Sequence, residues 1–69
     1  MKNLTNEELI EQNERNEFMI ETIDNILAKL SEGHPGFSRA CESKEKFLGI
    51  RTEIRSEADR RLLELIRPA

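Results

Sequence analysis

Midway along the chain, Gly33-His34-Pro35-Gly36-Phe37-Ser38 interrupts two long stretches in which apolar residues recur at helical spacing. This hexapeptide holds two of the three glycines and one of the two prolines among 69 residues. Gly33 suits the left-handed position just past a helix end, and Pro35 cannot continue the helix before it. Two helical arms of similar length joined by so short a break make an antiparallel hairpin. The expectation is an all-α, single-domain chain with helices over about 6–32 and 39–67 and a turn at 33–38.

The first arm carries a strong start signal. Thr5-Asn6-Glu7-Glu8 reads as a capping box, in which the Thr5 hydroxyl accepts from the Glu8 amide and the Glu8 carboxylate from the Thr5 amide. Leu4 and Leu9 occupy the two positions of a hydrophobic staple, and Glu7 and Glu8 suit the positive end of the helix dipole. Leu9, Ile20, Ile23, Leu27 and Leu30 then mark one face, flanked by Met19 and Ile26. The face is broken by seven consecutive polar residues, Glu11 to Glu17, with Gln12 and Asn16 inside the arc that should be apolar. Either that half-arm is solvated, which is the favoured reading, or it packs on a partner through hydrogen bonds, as core asparagines do when they fix register.

The second arm has two candidate starts, Ser38 and Ser43, either of which can serve as an N-cap. Phe37, Ala40, Cys41, Phe47, Leu48, Ile54, Ala58, Leu62, Leu65 and Ile66 form a broad apolar stripe, and Pro68 is expected to end the helix. Lys44 and Arg51 fall inside the stripe, where they lie along apolar surface or pair with the acidic first arm. Gly49 is read as tolerated on an outer face. Glu11/Arg15, Glu42/Lys46 and Glu57/Arg61 have the favourable i,i+4 order with the acid first.

Charge is unevenly divided. Residues 1–32 carry three basic and eight acidic side chains, whereas residues 33–69 carry eight basic and six acidic ones. Opposite balances draw the two arms together. The chain has no apolar run able to span a bilayer and no secretory signal, and its lone Cys41 fits a reducing compartment; a cytoplasmic location is expected.

Residues that could carry chemistry are few. One cysteine and one histidine cannot complete a structural zinc site, so no metal and no cofactor are expected. His34, in the turn, reads as an exposed capping residue, and Cys41 on the stripe as a small hydrophobe. Gly33-His34-Pro35-Gly36 lacks the lysine and hydroxyl of a phosphate loop. With no cleft to hold a carboxylate pair, the chain is expected not to be an enzyme.

A two-helix hairpin leaves apolar surface wet, so two copies are expected to pair as a four-helix bundle burying Met19, Ile23, Ile26, Leu27, Leu30, Phe37, Phe47, Leu48, Ile54, Ala58 and Leu62. The expected role is a protein-interaction module acting through helix–helix contacts, an adaptor, inhibitor or chaperone-like accessory protein of bacterial or phage type. Ile10, Phe18, Ile50 and Leu63, off the expected core arcs, are the candidate partner-binding residues. The alternative is a dimeric RNA- or DNA-binding regulator using the basic second arm, with Arg51 and Arg55 on a shared face.

Two local resemblances bear on these readings. Leu30-Ser31-Glu32-Gly33, followed by Pro35 and Phe37, resembles the hairpin bend of the small co-chaperones of type III secretion needles, which implies a short helical hairpin that sheathes another subunit. Ser56 to Leu65 is similar to a segment of the Hha family of nucleoid-associated modulators, although this chain is acidic where those proteins are basic. Neither resemblance carries functional residues onto this chain.

Overall fold

The computed structural model describes residues 2–65, which form two α-helices, α1 (Asn6–Lys29) and α2 (Pro35–Arg61), packed side by side as an antiparallel hairpin 43 Å long. The all-α hairpin expected from the sequence is the observed architecture. The roles expected for Ile66, Arg67 and Pro68 lie outside the described residues.

α1 starts as its sequence dictates. The Thr5 amide donates to Glu8 Oε1 at 3.0 Å and the Glu8 amide to Thr5 Oγ1 at 3.1 Å, closing the capping box. Leu4 packs against the cluster that contains Leu9, as a hydrophobic staple requires. The helix ends at Lys29, three residues before the expected boundary, because Leu30 turns extended (φ −95°, ψ 141°). Gly33 does not adopt the left-handed conformation expected of it; no glycine among the described residues has a positive φ. The chain reverses instead through a turn closed by the His34 amide on the Ser31 carbonyl at 2.9 Å.

α2 begins before both Ser38 and Ser43. His34 is its N-cap, with Nδ1 accepting from the Gly36 amide at 2.9 Å, and Pro35 opens the first turn, where its missing N–H costs nothing. A Cβ on Gly36 would meet that Nδ1 at 3.2 Å, so the cap exploits the bare glycine. The expected reading of His34 as an exposed cap holds. Pro35 thus starts the second helix as well as blocking the first.

The far end of α2 departs most from expectation. The helix stops at Arg61 because Leu62 takes the left-handed conformation (φ 56°, ψ 38°). The Leu63 amide reaches the Ala58 carbonyl at 2.9 Å and the Leu62 amide the Asp59 carbonyl at 3.1 Å, the bonding of a Schellman stop. Leu62, expected in the core, is therefore 94% exposed, while Leu63 and Leu65 fold back onto Leu9, Ile54 and Ala58. A left-handed leucine costs roughly 1–2 kcal/mol, which the returning leucines offset.

Burial is concentrated at the open end of the hairpin, remote from the turn. Leu9 and Ile54 are fully buried and Ala58 nearly so, with Ile20 and Ile23 continuing the seam along α1. Towards the turn, Leu27, Leu30, Phe37, Phe47 and Leu48 are only half-buried, and Met19 and Ile26 are exposed. Asn16 is buried within the seam, where its Nδ2 donates to the Phe47 carbonyl at 3.0 Å. The polar stretch is thus not simply solvated: Gln12 is exposed, but Asn16 faces the chain's own second arm.

Two substitutions separate seam from surface. Ile54→Ala should cost about 2–5 kcal/mol by removing a fully buried side chain. Gly49→Ala, with nothing within 4 Å of the added methyl, should gain roughly 1 kcal/mol through helix propensity. Urea unfolding followed by circular dichroism measures both.

Candidate functional site

The two edges of the hairpin differ in chemistry. Along one, acids of α1 meet bases of α2: Asp24 pairs with Lys44 at 2.6 Å, Glu17 takes Arg51 through two 2.7 Å hydrogen bonds, and Arg55 approaches Glu17 at 3.7 Å. Partner numbers fall along α2 as they rise along α1, the register of an antiparallel pair. Lys44 and Arg51 therefore pair with the acidic arm. The fork from Arg51 holds the Glu17 carboxyl below its usual range, and Glu17 in turn raises Arg51.

Among the described residues, the inter-helix ion pairs Asp24–Lys44, Glu17–Arg51 and Glu17–Arg55 all lie on that edge. Ile26 lies nine residues from Glu17, about 180° around the helix, and Met19 lies about 140° from Asp24. Both are exposed, Met19 by 38% and Ile26 by 45%, where the sequence reading expects them buried in a four-helix bundle. α2 alone does not cover the apolar arc of α1.

The four candidate partner-binding residues separate into two pairs. Phe18 projects away from α2 and is 66% exposed; Ile10, two turns earlier, is half-buried. Ile50 and Leu63, expected off the core arcs, are half-buried against Leu9, Ile54 and Ala58. Of the two arginines named for nucleic-acid contact, Arg51 is engaged by Glu17, whereas Arg55 keeps a largely exposed head.

A polar cluster seals the open end. The Glu57 side chain is 8% exposed and accepts from both Arg60 and Arg61, the latter at 2.6 Å. Arg61 also donates to Asn6 Oδ1 at 3.1 Å and to the Lys2 carbonyl at 3.3 Å, tying the start of the chain to the end of α2. Hydrogen bonds from Arg60 and then Arg61 draw the Glu57 carboxyl down to about 2. The sequence signalled the Glu57–Arg61 pair through its spacing; nothing in it marked Glu57 as buried.

A groove of about 620 Å³ runs beside the returning C-terminal leucines, between Asn13 and Glu17 of α1 and Arg55 and Asp59 of α2. Its Glu17 is an ion-paired carboxylate with a lowered pKa, the opposite of a proton donor poised near neutrality. Cys41 is half-buried and free, and the Nδ1 of His34 is engaged by its cap. Among the described residues, no group of three His, Cys, Asp or Glu side chains could hold a metal ion, and no helix is long and apolar enough to cross a membrane. Comparison with family models, curated proteins and solved structures gives no match for this chain.

The Glu57 cluster sets a pH dependence. Because the folded carboxyl titrates below its ordinary value of 4.5, its contribution to stability is complete above that pH and disappears as pH falls towards 2. Thermal unfolding midpoints measured from pH 6 to 2, the scan range, should drop through this window. Glu57→Gln should flatten the drop, leaving the part contributed by Glu17 and Glu8, whose carboxyls are also lowered.

Proposed function

We propose that this chain is a small non-enzymatic interaction module working through helix–helix contact. It pairs with a second copy as a four-helix bundle and presents the outer face of α1 to another protein. The observation that carries this reading is the exposure of Met19 and Ile26 on the edge without ion pairs. Fully burying such a side chain is worth about 1.5–3 kcal/mol, and a lone hairpin forgoes that gain. A chain of 69 residues with no disulfide has few other means of adding to its core. The ion-paired edge is already neutralised internally, so the apolar edge is the one that gains from a second layer.

This reading makes the protein a cytoplasmic accessory factor of bacterial or phage type, with Phe18 outside the bundle and available to a partner. The nucleic-acid alternative is weaker, because Arg51 is held by Glu17 and α1 presents a mostly acidic face that repels phosphate backbones.

Sedimentation equilibrium tests the pairing. The wild type should show a concentration-dependent dimer. Met19→Lys and Ile26→Lys should each weaken it at least about tenfold, and Phe18→Ser should leave it unchanged. A monomer at all accessible concentrations would refute the four-helix bundle.

A further inference from the structure

The start of α2 is held by a group whose hydrogen-bonding role reverses on protonation. A helix start leaves its first amides without helical partners. At α2 the first residue, Pro35, has no amide hydrogen, so Gly36 carries the first N–H to be satisfied. The His34 imidazole satisfies it, Nδ1 accepting from the Gly36 amide at 2.9 Å. Nδ1 is therefore the bare nitrogen of a neutral ring, whose proton sits on Nε2. The ring lies close over the glycine: a Cβ there would meet Nδ1 at 3.2 Å and Cε1 at 3.4 Å.

An imidazolium cannot do this. It donates from both nitrogens and accepts at neither. It also sets a positive charge at the positive end of the α2 dipole, and the first turn of α2 contains no acid. Charge around that end is mixed: Lys29 ends α1, exposed Glu32 lies in the turn, and Arg39, Cys41 and Glu42 are the first titratable groups of α2. None of the ion pairs among the described residues includes His34. Packing beside the cap is light, with Leu30 and Phe37 half-buried, whereas fully buried Leu9 and Ile54 lie at the opposite end of the hairpin. The first turn of α2 can therefore loosen without opening the seam.

We propose that His34 makes the first turn of α2 a pH-responsive element, closed on the neutral ring and opened when the ring gains a proton, while the far end of the hairpin stays packed. Imidazoles ordinarily gain that proton at about pH 6.5. The cap is thus present on the alkaline side of that range and lost on the acidic side. This device is independent of the interaction-module reading, since it needs only the cap.

Amide solvent exchange, measured by NMR on the full chain at about pH 8 and about pH 5, tests it. Each rate is normalised to that of an unstructured peptide at the same pH. Protection of the Gly36 amide, and of the Phe37 amide that donates to the His34 carbonyl, should fall about fivefold at the acidic value, the effect of losing an N-cap. The Glu8 amide is the internal reference and should keep its protection, because the Thr5 hydroxyl that caps it does not titrate. His34→Asn, whose side-chain oxygen caps without titrating, should hold protection at both pH values, and His34→Ala should show the low value at both. Circular dichroism confirms that each variant is helical. Unchanged protection of Gly36 and Phe37 in the wild type overturns the proposal, as does an equal drop in His34→Asn or at Glu8.

Discussion

The hairpin depends on the contact of Leu9 with Ile54 and Ala58. These residues are far apart in sequence and lie at the end of the molecule where no loop joins the arms. Their burial holds closed an end that the turn cannot reach. Leu4 arrives through the staple on one side, and Leu63 and Leu65 return from the Schellman stop on the other. The Arg61 bonds to Glu57, Asn6 and the Lys2 carbonyl then cover the same end with polar contacts. Residues just before α1 and just after α2 thus converge with the helix ends on one small apolar cluster, and the connecting turn is left lightly packed.

That distribution of burial gives the two edges different capacities. One edge is fastened by Asp24–Lys44 and Glu17–Arg51, contacts that contribute specificity of register more than stability in a partly solvated setting. The opposite edge retains exposed Met19 and Ile26 because α2 is one helix wide and the apolar arc of α1 is broader. Phe18 stands outside both edges. Among the described residues the hairpin thus has one edge of matched charges, one edge with exposed apolar side chains and a mostly acidic outer face.

Much of this was legible from the residues. The capping box at Thr5, the staple at Leu4 and Leu9 and the charge division between arms each act locally or through simple attraction, and each has its expected structural counterpart; the midpoint break is there too, but at 30–34 rather than 33–38 and without a left-handed Gly33. The second helix's start was obscured because His34 is an uncommon cap and Pro35 both stops one helix and starts the next. Its end was obscured for a different reason. A left-handed leucine has no compositional signature, and Leu62 is stabilised there by where Leu63 and Leu65 go next, a tertiary consequence. The same holds for Asn16 and Glu57: polar residues read as surface are buried only once Phe47, Arg60 and Arg61 satisfy them. Of the candidate residues, the exposure of Phe18 was readable from its angle on the helix, whereas the half-burial of Ile50 and Leu63 against Leu9, Ile54 and Ala58 was not.

Amide hydrogen exchange, resolved by residue and recorded at low protein concentration, tests the central claim most directly, because it reports which part of the hairpin opens last. Closure from the open end predicts slowest exchange in the stretches around Leu9–Ile20 and Ile50–Ala58, with amides near the turn, at Ile26–Lys29 and Phe37–Cys41, exchanging at least about tenfold faster. Greatest protection beside the turn, decaying towards Leu9 and Ala58, would contradict it and place the stabilising contacts at the wrong end of the molecule.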